Sequence, residues 1–234
     1  MTIYAVVAAA DFNRGDFLGR YAAGEFDCVL AVDGGYAHLK EAGVDPDVAL
    51  GDFDSLGFVP DHAWVVEHPP MKDKSDLELA LDFALERGAC ALRVYGCLGG
   101  RLDHTLAALQ ALCAAAERGV DVDAVGLPSD QQGYAQGMEV SVLVGPARLE
   151  LSPASGSTEP FFGVVSVHGA CDRCEGVSER GLRYSLEDQV LTNRTSWGLS
   201  NELEGLPCSI EVEKGTLLVV HPSSAQARRG ILSQ

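Results

Sequence analysis

Val48-Ala49-Leu50-Gly51-Asp52-Phe53-Asp54-Ser55 is the stretch on which the reading of this chain turns. Val48, Ala49 and Leu50 have the character of the end of a buried strand, and the chain leaves them directly into two carboxylates, Asp52 and Asp54. Carboxylates at the mouth of a strand form a hard, oxygen-rich corner of the kind that holds Mg²⁺ against a substrate phosphate. Taken by itself the segment reads equally as a solvated turn, because Asp and Gly are among the commonest turn residues. The surrounding sequence decides between the two.

Outward from this stretch, the first half alternates short apolar runs with longer helix-like segments, the pattern of a parallel sheet covered on both faces. Strands are expected at 3–9, 28–32, 48–50, 64–67, 92–95 and 124–127, with helices near 15–23, 36–42, 76–87 and 102–118. Gly43, Gly88 and Gly119 close three of these helices, and Ser75-x-x-Glu78 forms a capping box that fixes the start of another. Beyond Leu127 the sequence turns polar and Gly/Gln-rich, and strand-like runs follow at 139–144, 148–151, 162–167, 189–191, 209–212 and 216–220. The tail from 223 to 234 is polar and expected to be loose. The fold class is α/β: residues 1–137 form an open, mostly parallel, Rossmann-like sheet with flanking helices, and residues 138–234 an all-β sandwich.

Composition narrows the function. The 234 residues are 47% hydrophobic and 22% charged, ordinary for a globular protein. A net charge of −17 argues against nucleic acid or an anionic membrane as partner. Residues 3–10 are apolar but too short to span a bilayer, and no basic segment precedes them. They read as the first strand of a cytoplasmic protein. Of the seven cysteines only Cys171 and Cys174 have redox or metal spacing, and a zinc site would want a second such pair.

Ligands of open α/β sheets bind beyond the carboxyl ends of the strands, and further corners of this chain fall there. The second strand enters Asp33-Gly34-Gly35, where glycines permit a tight turn and close backbone approach. The fourth leads into Lys72-Asp73-Lys74-Ser75-Asp76, and the fifth into Gly96 and then Gly99-Gly100-Arg101-Leu102-Asp103-His104. Each has a plainer explanation. Asp33 suits a turn; Asp76 suits a helix dipole, worth up to about 1 kcal/mol; Asp103 and His104 suit a solvated helix start. Their convergence on one sheet edge favours a single polyphosphate–metal site. The glycine loop feeds a helix N-terminus whose free N–H groups suit a phosphate. Arg101 offers a planar fork, and Lys72 and Lys74 offer point charges. Several carboxylates beside a triphosphate require a cation, so Mg²⁺ is expected. The loop lacks both the Gly-Lys-Ser/Thr ending of a P-loop and the Rossmann Gly-x-Gly-x-x-Gly spacing.

These motifs, in order and spacing, resemble those of the thiamine pyrophosphokinase family: Asp33-Gly34-Gly35, Gly-Asp-Phe-Asp-Ser, Lys-Asp-x-Ser-Asp and Gly-x-x-Gly-Gly-Arg-x-Asp-His-Thr. Gly181-Leu182-Arg183-Tyr184 and Ser200-Asn201-Glu202 resemble the family's thiamine-side signature. Departures are Ser75, where the family usually carries Thr, and Ser185, where bacterial members often carry Pro. The resemblance implies transfer of the terminal diphosphate of ATP to the hydroxyl of thiamine, releasing AMP. It implies Mg²⁺ on Asp52, Asp54 and Asp76, with catalysis by these residues together with Arg101 and Asp103. ATP would be held by Asp33, Gly34, Gly35, Lys72, Asp73, Gly99, Gly100, Arg101 and His104. Thiamine would meet Tyr184, Trp197, Ser200 and Asn201, although Trp197 reads equally as a sandwich-core residue. A homodimer sharing each site between subunits is also implied. The alternatives are a diphosphokinase for another hydroxymethyl heterocycle, such as a pterin, and a non-catalytic thiamine or nucleotide sensor.

Overall fold

The computed structural model describes residues 1–69, 71, 73–129, 134–153 and 161–232. The chain divides into two compact units, Met1–Leu127 and Pro128–Gln234. The polar connection placed before residue 138 in the sequence therefore begins the second unit.

In the first unit strands and helices alternate: β1 (Ile3–Val7), α1 (Arg14–Ala22), β2 (Cys28–Val32), α2 (Gly35–Glu41), β3 (Val48–Gly51), β4 (Val65–Glu67), α3 (Asp76–Glu86), β5 (Ala91–Tyr95), α4 (Leu102–Ala116) and β6 (Asp121–Val125). The strands lie in the order β6-β5-β1-β2-β3-β4, and every pairing among them is parallel. Parallel strands need crossover helices, which cover both faces of a sheet and leave its strands apolar throughout. Ala5, Val6 and Val7 of β1 and Leu30 and Ala31 of β2 are fully buried accordingly.

One face of this sheet is sealed by aromatic rings. Phe17 of α1 meets Tyr95 edge-on at 5.3 Å and Phe26 in a stack at 5.6 Å. The Tyr95 hydroxyl donates to Asp16 Oδ2 at 2.8 Å, which gives the buried ring's polar end a partner. Asn13 caps α1 by accepting from Asp16 N, while its amide donates to the Gly126 carbonyl at 2.9 Å. The turn after β1 is thus tied to the end of β6.

The second unit is built from strands: β7 (Met138–Val144), β8 (Ala147–Pro153), β9 (Phe162–Gly169), β10 (Cys174–Arg180), β11 (Leu186–Leu191), β12 (Gly198–Glu204), β13 (Cys208–Val212), β14 (Thr216–Pro222) and β15 (Ala225–Gly230). Within it β12-β9-β14-β7 and β11-β10-β13-β8-β15 run antiparallel, and both sets contribute to one apolar core that includes Leu143, Leu149, Val165, Val167, Ile210 and Val219.

Strands β10, β12 and β15 have no counterpart among the strands expected from sequence. The correction is largest at β15: the tail from 223, expected to be loose, pairs with β8 from Ala225↔Pro153 to Gly230↔Arg148. Its inward positions are Ala225 and Ala227, side chains too small to print an apolar alternation. In β10 and β12 the inward face carries Glu179 and Asn201, both buried, so polar residues stand where the pattern wants apolar ones. No helix among the described residues is long and apolar enough to cross a membrane.

Candidate active site

From β1 the chain steps outward through β2, β3 and β4; it then returns by α3 to place β5 on the other side of β1. The direction of winding reverses between β1 and β5. In an open α/β sheet the crevice beyond the strand ends at that reversal is where ligands bind. A cavity of about 400 Å³ opens there. Its wall is made by Ala8, Ala9 and Ala10 after β1, Asp33 after β2, and Asp52, Asp54 and Ser55 after β3. Val32 at the end of β2, Ser75, Asp76 and Leu77 at the start of α3, Gly96 and Cys97 after β5, and His104, Ala107 and Ala108 of α4 complete it. Loops far apart in sequence thus converge because their strands are parallel and end on one edge.

The stretch after β3 owes its shape to two unusual backbone conformations. Phe53 adopts φ 57° and drives its ring into the core, where it is 2% exposed. Burying a Phe ring contributes roughly 1.5–3 kcal/mol, which offsets the strain of the left-handed region. With Phe53 turned inward, its neighbours Asp52 and Asp54 are left at the cavity. Gly51, at φ 149°, lies so close to Asp33 that a Cβ there would stand 1.9 Å from Asp33 Oδ1. Asp33, itself at φ 47°, donates its N–H to the Leu50 carbonyl at 3.0 Å and accepts from Phe53 N at 3.2 Å. The ends of β2 and β3 are therefore cross-linked through the Asp33 side chain.

Ser75 accepts from Glu78 N, and Glu78 Oε2 accepts from Ser75 N at 2.9 Å, so the capping box is complete and Asp76 is the first residue of α3. This sets Asp76 beside the β2 and β3 corners. Oxygen atoms of Asp33, Asp52 and Asp76 all lie within 4.8 Å of one another. Octahedral Mg²⁺ holds ligands at ~2.1 Å, hence ~3 to ~4.2 Å apart, a spacing this cluster can meet. Burial, then the Asp76 charge, and also that of Asp52, push the Asp33 carboxyl up to about 7. Carboxylates that resist ionising together are the electrostatic mark of a place for a cation.

The sequence placed the metal on Asp52, Asp54 and Asp76. Asp54 lines the cavity, with its N–H on Asp52 Oδ1 at 3.2 Å, but the tight cluster takes Asp33 instead. His104 lines the cavity too. Arg101 and Asp103 stand exposed and pair with each other at 2.6 Å. Gly99 and Gly100 supply left-handed turns at φ 87° and 63° ahead of α4. Gly34 caps α2 and Gly35 is its first residue, and a Cβ on Gly35 would stand 1.9 Å from the Val7 carbonyl. Its smallness thus serves the packing of α2 on β1. Asp73 is exposed, Lys74 pairs with Asp82 at 2.6 Å, and Lys72 lies outside the described residues. Sequence reasoning missed Ala8, Ala9, Ala10 and Cys97 as cavity wall; small uncharged side chains carry no chemical signal.

Comparison with known proteins bears on this geometry. Residues 21–123, which carry all the acidic corners, match the family model described as thiamin pyrophosphokinase, catalytic domain. The chain is similar to the thiamin pyrophosphokinases. The thiamine pyrophosphokinase of Bacillus subtilis is 26% identical over 197 residues, spanning 82% of this chain and 85% of that protein. The solved thiamin pyrophosphokinase of Geobacillus thermodenitrificans is 26% identical with a TM-score of 0.71, covering 95% of this chain and 98% of its own. The Bacillus subtilis crystal structure, at 23% identity and TM-score 0.71, shares the fold over 95% of this chain and 99% of its own. The resemblance read from the motifs is borne out.

The segments that resemble the thiamin pyrophosphokinase thiamine-side signature lie in the second unit. Tyr184 and Trp197 are 59% and 60% exposed, so Trp197 is not a core residue. Ser200, at φ 58°, is exposed and its N–H donates to Ser166 Oγ at 3.0 Å. Asn201 is only 4% exposed, and its amide is committed to protein groups, including both backbone polar atoms of Tyr184.

Proposed function

We propose that this chain transfers the terminal diphosphate of ATP to the hydroxyl of thiamine, giving thiamine diphosphate and AMP. The observation that carries the reading is the carboxylate cluster of Asp33, Asp52 and Asp76 at the winding reversal, within the segment similar to the thiamin pyrophosphokinase catalytic domain. The first unit reads as a Rossmann-like layer and the second as a β-sandwich, in a cytoplasmic enzyme that works as a homodimer.

Asp33, Asp52 and Asp76 would hold Mg²⁺, with Asp54 at the same wall. Bound there, the ion would neutralise phosphate oxygens and polarise the phosphorus under attack. Arg101 would exchange Asp103 for the phosphate chain, a bidentate grip on charge that grows on departing AMP. The N–H groups that open α4 and the His104 ring stand ready as further donors. Asp76 or Asp103 would accept the hydroxyl proton as the oxygen attacks the β-phosphorus in line. Little covalent work is asked of the protein, so the rate comes from positioning and electrostatics. Tyr184 and Trp197 offer exposed aromatic faces to a flat cation, which a net charge of −17 attracts.

The test is AMP and thiamine diphosphate formation from ATP, Mg²⁺ and thiamine, with hydroxymethylpterin as the competing acceptor. Asp52→Asn should lower kcat by about 10²–10³-fold while the protein keeps its melting temperature. Transfer to the pterin but not to thiamine would reassign the acceptor. Ligand binding without turnover would mark a sensor.

A further inference from the structure

Glu179 is buried to 0% exposure in β10, where its neighbours across the sheet are Leu186 of β11 and Ile210 of β13. A carboxyl in such surroundings is costly, and an apolar residue of similar volume would serve the core at least as well. Burial pushes it up to about 7, and the Asn201 amide pulls the other way. Asn201 Nδ2 donates to Glu179 Oε2 at 2.8 Å, while Oε1 has no hydrogen bond among the described residues.

Asn201 is the centre of a staple. Its Oδ1 accepts from Tyr184 N and from Glu202 N, each at 3.0 Å, and its Nδ2 also donates to the Tyr184 carbonyl at 2.6 Å. Both backbone polar atoms of Tyr184 are thus bound by one side chain of β12. Arg183 N on the Glu202 carbonyl at 3.0 Å and the bridge Leu182↔Leu203 continue the seam. On the other side, a Cβ on Gly198 would stand 3.0 Å from Glu179 Oε1. The one carboxyl therefore lies beneath the turn that presents Tyr184 and beside the residue that follows Trp197.

We propose that Glu179 is a positioning residue for substrate: its carboxyl orients the Asn201 staple and so fixes the two aromatic side chains offered to thiamine. This rests on the functional reading above, in which Tyr184 and Trp197 meet the thiamine rings. Glu179 itself touches no substrate. It acts through Asn201 and through its closeness to Gly198, where no side chain could stand without crowding Oε1.

The test compares E179L and E179Q with the unaltered full chain in steady-state kinetics. Leucine removes the acceptor and relieves the buried carboxyl, so E179L should be no less stable. Its KM for thiamine should nevertheless rise about tenfold, the equivalent of ~1.4 kcal/mol, with the KM for ATP within about twofold. E179Q keeps an acceptor oxygen for Asn201 and should bring the thiamine KM back to within about threefold of the unaltered protein. A thiamine KM unchanged in E179L, or both KM values rising together, overturns the proposal. Amide exchange at Tyr184 separates it from the functional reading. Faster exchange in E179L supports the staple even if the unaltered chain makes no thiamine diphosphate; unchanged exchange sinks it.

Discussion

At the scale of the residue, the site rests on side chains that turn opposite ways from one short turn. Phe53 goes into the core while Asp52 and Asp54 stay at the cavity, and Gly51 lets Asp33 close in on them. Crowding gives Asp33 a testable titration. Its carboxyl is pushed from the ordinary 3.8 to about 7, so the folded protein binds that proton more tightly than the unfolded chain does. Glu179 shifts the same way, from 4.5 to about 7. Both contributions are fully present below the unfolded values and are lost as pH rises through about 7. Together they should make the metal-free protein melt progressively lower from pH 5 to pH 8, opposed over the lower part of that range by His168, whose burial holds its ring below the usual value. Glu179→Gln should flatten part of that slope. Mg²⁺ should raise the melting temperature more at pH 8 than at pH 6, because it binds the ionised carboxylates. A melting temperature that rises steadily over this range in the metal-free protein would contradict the assignment.

At the scale of the element, α3 and β15 show what local sequence can and cannot announce. The Ser75–Glu78 box is a contact between residues three positions apart, so it is readable before any fold is known, and it forms as read. It also aims Asp76 at the cluster, which under the proposed function would couple helix capping to metal binding. Ser75→Ala should cost about 1 kcal/mol of stability. It should also weaken Mg²⁺ activation several-fold, measured as the metal concentration at half-maximal rate, while thiamine KM holds. An intact metal response in a destabilised Ser75→Ala protein would uncouple the cap from the site. Strand β15 has no such local mark. Ala225 and Ala227 become inward residues only because β8 lies beside them. Likewise Glu179 and Asn201 break the alternation of β10 and β12 at the positions where they meet each other.

At the scale of the whole molecule, the proposed reading divides the chemistry between the two units. Every carboxylate of the cluster belongs to Met1–Leu127, and the exposed Tyr184 and Trp197 belong to Pro128–Gln234. A homodimer that shares each site between subunits predicts complementation. Asp52→Asn and Trp197→Ala chains, each nearly inactive alone, should regain activity when unfolded and refolded together. A random mixture would hold half its dimers as hybrids with one intact site of two, so recovery should approach about a quarter of the unaltered rate. No gain on mixing would place both halves of a site in one chain.

The sequence by itself determined the acidic corners, the helix starts and the alternation of strand and helix, and with them the family resemblance. Those features are written in neighbouring residues or in simple periods. Only the tertiary structure decided that Asp33 rather than Asp54 joins Asp52 and Asp76, that Trp197 stands exposed, and that Asn201 is consumed in holding Tyr184. These outcomes depend on distances between strands paired far apart along the chain. A few ångströms of backbone geometry, set by Gly51, the inward Phe53 and the winding reversal at β1, choose among carboxylates that the sequence alone leaves equivalent.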